Sequence, residues 1–397
     1  MKKRSTTFHK AVYAAVRPLI GLYVKLKYGF TTDRMQEPFL LLSNHTTEDD
    51  MFFTGLACRD HMYFVCGEHL LRNPRYGRLL RDLVDPIPVP KGGASLTAVR
   101  EILRRLKAGS NVCMFPEGKR SFHGETIPSS VSLGKLVKKA GCALVTYRIS
   151  GGYFTYPRWA RNHPRKGHAE GKVVGIYSSG ELAKLTAEEI TAIINRDTYE
   201  NAYATQRSRH WRYRGDHLAE GLEHVLFLCP RCHAMDSMRT EGNAFSCCKC
   251  GLSGRYNDYG FLEGEGLPFD NVLDWMRWIE PEFDACVLAQ EADALLFEQP
   301  DVLLYRMMDG YRNASIATDG LRVFRDRMEF GPVEKASAFY CFPFGEIDSM
   351  SVLYGNILLF TYKGTYYGLT GDAFHAWKCA RLWHLCKGDT KDPTKEI

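Results

Sequence analysis

The 397-residue sequence has no uninterrupted apolar run long enough to cross a bilayer, which takes about 20 mostly apolar residues. It also has no N-terminal apolar segment followed by a small-residue cleavage site, and its 13 cysteines are odd in number and unevenly spread. Both absences argue against secretion and against a disulfide framework. We therefore expect a cytoplasmic protein, attached to at most one leaflet of a membrane.

The sequence has only a small excess of positive over negative charge, with a formal net charge of +6. Residues 1–40 contain eight Lys and Arg against two acidic residues, and the rest of the chain is balanced. This distribution argues against nucleic acid as a partner and favours one local electrostatic anchor. With 45% hydrophobic and 25% charged residues, the composition excludes disordered, collagen-like and coiled-coil proteins. The length predicts two or three domains.

Residues 1–34 predict a basic amphipathic helix. Lys10, Arg17 and Lys25 lie largely off its apolar stripe, and Pro18 predicts a kink or a break. One interpretation is a helix lying in an anionic membrane surface, on the inner face of the cytoplasmic membrane. The other is an ordinary helix packed on its domain. The stripe consists of Phe8, Val12, Ala15, Val16, Leu19, Tyr23 and Leu26.

A histidine follows an apolar run. Residues 39–43 predict a buried strand, and His45 comes directly after it, five residues before Asp50. An aspartate at that distance can bond one ring nitrogen and leave the other free to act as a base. The spacing alone is weak evidence, and Glu48 and Asp49 are equally well explained as carboxylates at a helix N-terminus.

A second strand-like run, 111–115, ends in a polar segment. Glycine there lets a backbone approach closely, and adjacent cations offer a fork for a phosphate. Between the two runs, residues 87–91 end in another cation and precede a predicted helix at 96–107. The residues singled out are Glu117, Gly118, Lys119, Arg120 and Lys91.

These blocks resemble the lysophosphatidate acyltransferase family, also called the glycerolipid acyltransferases. Asn44, His45 and Asp50 look like its first block, and 88–91 like its second. Residues 115–121 look like its third, and 143–149 like a weaker fourth. The resemblance covers about half of the chain. It implies an α/β domain over 35–215, with a sheet flanked by helices.

The resemblance also implies a reaction: acyl transfer from acyl-CoA or acyl carrier protein to the hydroxyl of a lysophospholipid such as lysophosphatidate (1-acylglycerol-3-phosphate). His45 would remove the hydroxyl proton, and Asp50 would orient its ring. Arg120 and Lys91 would clamp the acceptor phosphate. Asn44, Glu117, Gly118 and Lys119 would complete the substrate pocket. No covalent acyl-enzyme is needed.

Three departures leave the acceptor open. Lys91 stands where the family usually has arginine, which keeps the charge and loses bidentate geometry. Lys119 replaces a common threonine, and the fourth block lacks its usual prolines. Glycerol-3-phosphate and other lysolipids therefore remain alternative acceptors.

Four cysteines further along the chain have the spacing of a metal site. Two Cys-x2-Cys pairs, separated by fourteen residues, present four thiolates that a hairpin could bring together. This resembles a zinc ribbon over 224–256. All four positions would be filled by protein, so the zinc would be structural. The ligands would be Cys229, Cys232, Cys247 and Cys250, with Cys248 a spare.

Residues 257–397 predict two helices, near 269–279 and 283–296, and then a strand-rich region closed by a helix at 373–386. This pattern looks like a pleckstrin-homology or GRAM-like barrel. A rival interpretation makes the ribbon and this region the working parts of a non-catalytic adaptor. The predicted strands are 321–324, 338–341, 349–353, 357–362 and 366–369.

Overall fold

The computed structural model describes residues 5–29, 38–71, 77–89, 96–160, 163–291, 293–307, 313–332 and 339–388, without the side chains of His69 and Asn313. Contacts divide the chain into two compact units. The first comprises Met1–Pro157 and Arg165–Arg214, and the second comprises Arg158–Pro164 and Gly215–Glu396. The predicted ribbon and strand-rich region both fall in the second unit.

The described part of the first unit has a six-stranded sheet with the order β3-β2-β4-β1-β5-β6. Its strands are parallel except for β6, which runs antiparallel to β5. The central strand β1 is buried along its whole length, as expected of a strand covered on both faces. The strands are β1 (Phe39–Ser43), β2 (Met62–Gly67), β3 (Ile87–Val89), β4 (Asn111–Met114), β5 (Ala143–Ser150) and β6 (Glu170–Tyr177).

Helices cover both faces of this sheet. Leu41 faces a core cluster shared with α1 and α2, whereas Leu40 and Leu42 face a second cluster shared with α5, α6 and α9. This arrangement confirms the predicted α/β class. The helices are α1 (Thr6–Tyr28), α2 (Asp50–Ala57), α3 (Glu68–Leu71), α4 (Gly77–Leu83), α5 (Leu96–Lys107), α6 (Val131–Ala140), α7 (Gly152–Thr155), α8 (Ser179–Lys184), α9 (Ala187–Thr198) and α10 (Ala202–Arg209).

Helix α1 runs without a break through Pro18, so the expected break does not occur. A proline inside a helix costs about 3 kcal/mol. Burial of one face of the helix continues on both sides of Pro18, with His9 before it and Val24 and Tyr28 after it. That continuous packing offsets the missing hydrogen bond. Over the described ranges, we find no helix with the length and apolar character that a membrane crossing requires.

The second unit contains a small antiparallel sheet with the order β10-β9-β8-β7 in its described part. Gly242, with φ of 58°, lies in the turn between β7 and β8, as expected for the hairpin of a ribbon. The strands are β7 (Met238–Glu241), β8 (Ala244–Cys247), β9 (Ser253–Tyr256) and β10 (Leu262–Glu263).

One helix, α11 (Val272–Leu288), replaces the two helices expected near 269–279 and 283–296. The prediction was wrong because the helix continues through Pro281. Trp275, Ile279, Phe283 and Val287 are all buried, and their spacing of four residues carries one face past the proline. Packing of that face outweighs the loss of one main-chain hydrogen bond.

Seven antiparallel strands and a helix, α12 (Ala376–Cys386), follow in the described residues. They confirm a strand-rich region closed by a helix. The predicted strand at 357–362 coincides with β16, whereas β11 and β13 were missed, and residue 338 lies outside the described residues. The strands are β11 (Phe297–Met307), β12 (Asn313–Val323), β13 (Arg327–Gly331), β14 (Tyr340–Pro343), β15 (Ile347–Leu353), β16 (Ile357–Tyr362) and β17 (Thr365–Thr370).

Candidate active site and cysteine cluster

His45 lies just beyond the carboxyl end of β1, and Asp50 is the first residue of α2. The Nδ1 atom of His45 is 2.8 Å from Oδ2 of Asp50, and the histidine ring stacks on Phe115 at 4.5 Å between centroids. The side chain of His45 is 23% exposed, whereas that of Asp50 is fully buried. The structure therefore forms the pair that the spacing suggested and leaves the ring within reach of solvent.

Three further hydrogen bonds hold the Asp50 carboxylate. The main-chain nitrogens of Thr46 and Thr47 donate to Oδ2, and the Thr46 hydroxyl donates to Oδ1 at 3.0 Å. Because the carboxylate can only accept, His45 donates from Nδ1, and the lone pair of the neutral ring lies on Nε2. This arrangement fixes the tautomer that a general base requires.

Glu117 joins the third sequence block to the first. Its buried carboxyl accepts from the main-chain nitrogen of His45 at 2.7 Å and from that of Ile127 at 3.1 Å. In return, the Ser121 nitrogen donates to the His45 carbonyl at 2.8 Å. Burial raises the pKa of Glu117 to about 8, outweighing the two N–H donors, which lower it. The two blocks thus form one hydrogen-bonded unit around His45.

Arg120 lies at the end of the same segment. It donates from Nη1 to the Tyr156 carbonyl at 3.2 Å, and its guanidinium lies 5.4 Å from the centre of the Tyr156 ring. Its Nη2 donates to Oε1 of Glu48 at 3.3 Å. Lys119 is half-buried and Gly118 is exposed.

Among the predicted substrate residues, Lys91 lies outside the described residues. Asn44 is fully buried: its amide nitrogen donates to the Ile149 carbonyl at 2.8 Å, and its amide oxygen accepts from the Ile149 nitrogen at 2.8 Å. The expectation that Asn44 contacts the substrate is therefore corrected, because the nitrogen and the oxygen of its side-chain amide both bond to β5 and so link the end of β1 to that strand. Asn44 instead fixes where the loop that carries His45 begins.

Asp49 forms a second link to this loop that sequence reasoning missed. Its carboxylate accepts from Lys27 at 2.7 Å and from the hydroxyls of Tyr23 and Tyr28, all on α1. The partnership of Glu48 and Tyr156 with Arg120 was also missed. These partners lie 21 to 72 positions apart along the chain, so spacing gave no signal for them.

The sequence model of the acyltransferase family matches residues 25–150. These residues form an acyltransferase domain. The match confirms the predicted resemblance and includes His45, Asp50, Glu117 and Arg120. No curated protein sequence matches the chain. Among solved structures, the 1-acyl-sn-glycerophosphate (LPA) acyltransferase PlsC from Thermotoga maritima is similar, with 20% identity and a TM-score of 0.39. The alignment covers 47% of this chain and 80% of that one.

Outside the acyltransferase domain, four cysteines of the second unit converge. The Sγ atoms of Cys229, Cys232, Cys247 and Cys250 all lie within 4.8 Å of one another. Cys229 and Cys250 are 3.6 Å apart, and Cys232 and Cys247 are 3.8 Å apart. Tetrahedral zinc with bonds of about 2.3 Å would hold its sulfurs about 3.8 Å apart. The donor set and its spacing fit zinc, and Cys248 is not in the cluster.

Proposed function

We propose that the acyltransferase domain moves a fatty acyl group from a thioester to the hydroxyl of lysophosphatidate, in phospholipid synthesis. The observation that carries the proposal is the hydrogen bond from His45 Nδ1 to Asp50, which leaves Nε2 as a base on an accessible ring. In this reaction Nε2 takes the proton of the acceptor hydroxyl.

The remaining steps follow from this proton transfer. As the O–H bond breaks, the hydroxyl oxygen bonds to the thioester carbonyl carbon. The tetrahedral intermediate then expels the thiolate, which recovers the proton from the His45 imidazolium. Asp50 keeps the ring oriented and stabilises its charged form. General base catalysis contributes about 10²–10⁴ in rate. Alignment of donor and acceptor supplies much of the rest.

The acceptor proposal depends on the charge near His45. Arg120 is largely buried, and its planar guanidinium suits the oxygens of a phosphate. Lys91 and Lys119 are the further cations that we assign to the phosphate, while Glu117 and Gly118 shape the loop beside it. Glycerol-3-phosphate and other lysolipids are alternative acceptors, and acyl-CoA and acyl carrier protein are alternative donors.

One experiment separates these choices. The purified full chain is incubated with an acyl thioester of either kind and with lysophosphatidate, glycerol-3-phosphate or a lysolipid with a zwitterionic headgroup. We expect the highest kcat/KM with lysophosphatidate and no turnover for His45→Ala. Higher kcat/KM with another acceptor replaces the acceptor assignment. The absence of turnover with every pair would favour the adaptor alternative.

We also propose that the protein attaches to an anionic membrane surface through α1, on the cytoplasmic side. Apolar residues at intervals of three and four form a stripe that the first unit leaves exposed. Lys25 is exposed next to this stripe, so that apolar contact and attraction to anionic lipid act together. The exposed stripe consists of Ala11, Ala15, Leu19, Leu22 and Leu26; it differs from the stripe predicted from the sequence, of which Phe8 and Val12 are half-buried.

We propose that Cys229, Cys232, Cys247 and Cys250 hold a structural zinc ion. A zinc ion there would cross-link the two cysteine pairs. Because cysteines would fill all four coordination positions, none would be open for catalysis. The residues support this role locally. The Ser237 hydroxyl lies 3.3 Å from the Cys247 sulfur, and the Ser237 carbonyl accepts from the Cys248 nitrogen at 2.8 Å. These bonds orient the second cysteine pair against the turn that follows the first.

A further inference from the structure

Arg120, the residue assigned to the acceptor phosphate, holds a carboxylate in this structure. Its Nη2 lies 3.3 Å from Oε1 of Glu48. The two side chains differ in accessibility: that of Arg120 is 11% exposed, whereas that of Glu48 is 58% exposed. The cation is therefore fixed in the protein, and its carboxylate partner approaches from the solvent side.

The direction of the Arg120 guanidinium is set by Tyr156. The Tyr156 carbonyl accepts from Nη1, and the Tyr156 ring lies against the guanidinium. Neither of these two contacts uses a charged group, whereas Nη2 of the same guanidinium forms an ion pair with the Glu48 carboxylate. A carboxylate and a phosphate present the same kind of oxygen to a guanidinium. Glu48 therefore occupies a position that a phosphate oxygen would take.

The loop around Glu48 is fixed on both sides. Asp49 is held by Lys27 and Tyr23 of α1, while Asp50 is held by the main-chain nitrogens of Thr46 and Thr47. Glu48 can consequently leave Arg120 by rotating its own side chain, without moving His45. The departing side chain moves into solvent, where its carboxylate is well hydrated.

We propose that Glu48 is a built-in competitor of the acceptor phosphate, which pairs with Arg120 in the empty site and is displaced when a phosphate-bearing acceptor binds. This inference rests on the proposed function, because it assigns Arg120 to the acceptor headgroup. Glu48 thereby sets the affinity for acceptors that need Arg120. It has no effect on the affinity for the acyl donor.

The size of the effect follows from the exposure of the pair. Because the Glu48 carboxylate is 58% exposed, solvent screens its attraction to Arg120, and breaking the pair costs an acceptor up to about fivefold in affinity. Glu48→Gln therefore lowers the acceptor KM by about two- to fivefold and changes kcat less than KM. It also lowers the inhibition constant of inorganic phosphate, used as a competitor of the acceptor, by a similar factor.

The experiment compares wild type, Glu48→Gln, Arg120→Gln and the double variant. Steady-state kinetics with lysophosphatidate give the KM of the acceptor, the KM of the acyl donor and the inhibition constant of phosphate. Calorimetry gives the affinity for phosphate without turnover. Arg120→Gln raises the acceptor KM and abolishes the gain from Glu48→Gln, so that the double variant matches Arg120→Gln. Asp60→Asn is the matched control, because Asp60 also forms an ion pair, with Lys10, but lies before the amino end of β2. His45 follows the carboxyl end of the parallel strand β1, so the two sites lie at opposite ends of the strands.

The outcomes distinguish this inference from the proposed function. Unchanged or raised KM and phosphate constants in Glu48→Gln, with an active wild type, overturn the role of Glu48 and leave the proposed function intact. A wild type without turnover rejects the proposed function. In that case calorimetry still decides, since equal phosphate affinity in wild type and Glu48→Gln overturns the competitor role. A gain that persists in the double variant overturns it as well.

Discussion

The main-chain nitrogen of His45 donates a hydrogen bond of 2.7 Å to the buried carboxyl of Glu117, 72 positions further along the chain. This bond joins the loop after β1 to the loop after β4. It holds the backbone of His45, while Asp50 holds the ring. The position and the orientation of the imidazole are therefore set by two different carboxyl groups.

Glu117 predicts a pH-dependent contribution to stability. Its pKa is raised by burial from 4.5 to about 8, so the folded protein retains a proton that the unfolded chain releases between these values. The stabilising contribution of this carboxyl is therefore complete below pH 4.5 and is lost as the pH rises to about 8.

Urea unfolding of wild type and Glu117→Gln across this range tests the sign. Glutamine has no proton to lose, so the stability of wild type relative to the variant should decrease as the pH rises. A difference that stays constant with pH would contradict a buried carboxyl with a raised pKa.

Asp50→Asn should reduce kcat by only about tenfold, which is close to the difference between a charged and a neutral hydrogen bond. Two main-chain N–H groups point at Oδ2, so the asparagine oxygen should take that position and still accept from His45 Nδ1. Asp50→Ala removes the acceptor and should lose about 10²–10⁴-fold. Equal losses in the two variants would contradict this account of the tautomer. Melting temperatures check that both variants fold.

The apolar stripe of α1 predicts binding to vesicles that contain anionic lipid. Leu19 and Leu26 are 67% and 70% exposed, so replacing both with glutamine should release the protein from vesicles at little cost in stability. Ile176→Gln is the matched control, since Ile176 is 62% exposed but lies on β6. Co-sedimentation measures binding, which should also weaken at high salt. Retention of the double variant at the level of the Ile176 control would reject the role of α1.

The cysteine cluster predicts bound zinc in the purified full chain, measurable by elemental analysis. Cys232→Ser should lose the metal and lower the melting temperature, because a structural zinc contributes directly to folding. Cys248→Ser should retain it, since Cys248 lies outside the cluster. Cobalt substitution should give the absorption of a tetrahedral thiolate site in wild type and in Cys248→Ser. A wild type free of zinc, or equal losses in both variants, would rule out this site.

The sequence predicted best those features that depend only on residues close together along the chain. The buried strand at 39–43 was predicted to the residue, and so was α5, because burial and periodicity are local signals. Within α5, however, the buried face is not purely apolar. Leu96 is exposed, and the buried face includes Arg105, whose guanidinium pairs with Asp85 and Glu101. A buried arginine with two carboxylate partners cannot be recognised from hydrophobic spacing.

In the candidate site, too, the contact between residues close along the chain was predicted and the contacts between distant residues were not. The His45–Asp50 pair spans five positions and was predicted, whereas the Glu117–His45 bond depends on the parallel pairing of β1 with β4. The role of Asn44 was missed for a related reason, because its partner Ile149 lies on the neighbouring strand β5. Partners that only tertiary pairing brings together leave no periodic signal in the sequence.

The central claim is that His45 acts as the base, and the most direct test is the rate of acyl transfer to lysophosphatidate by wild type and His45→Gln. Glutamine keeps a polar side chain of similar length and lacks a basic nitrogen. We predict that kcat falls by at least about 10²-fold while the acceptor KM changes little. Acyl transfer by His45→Gln at the wild-type rate would contradict the account.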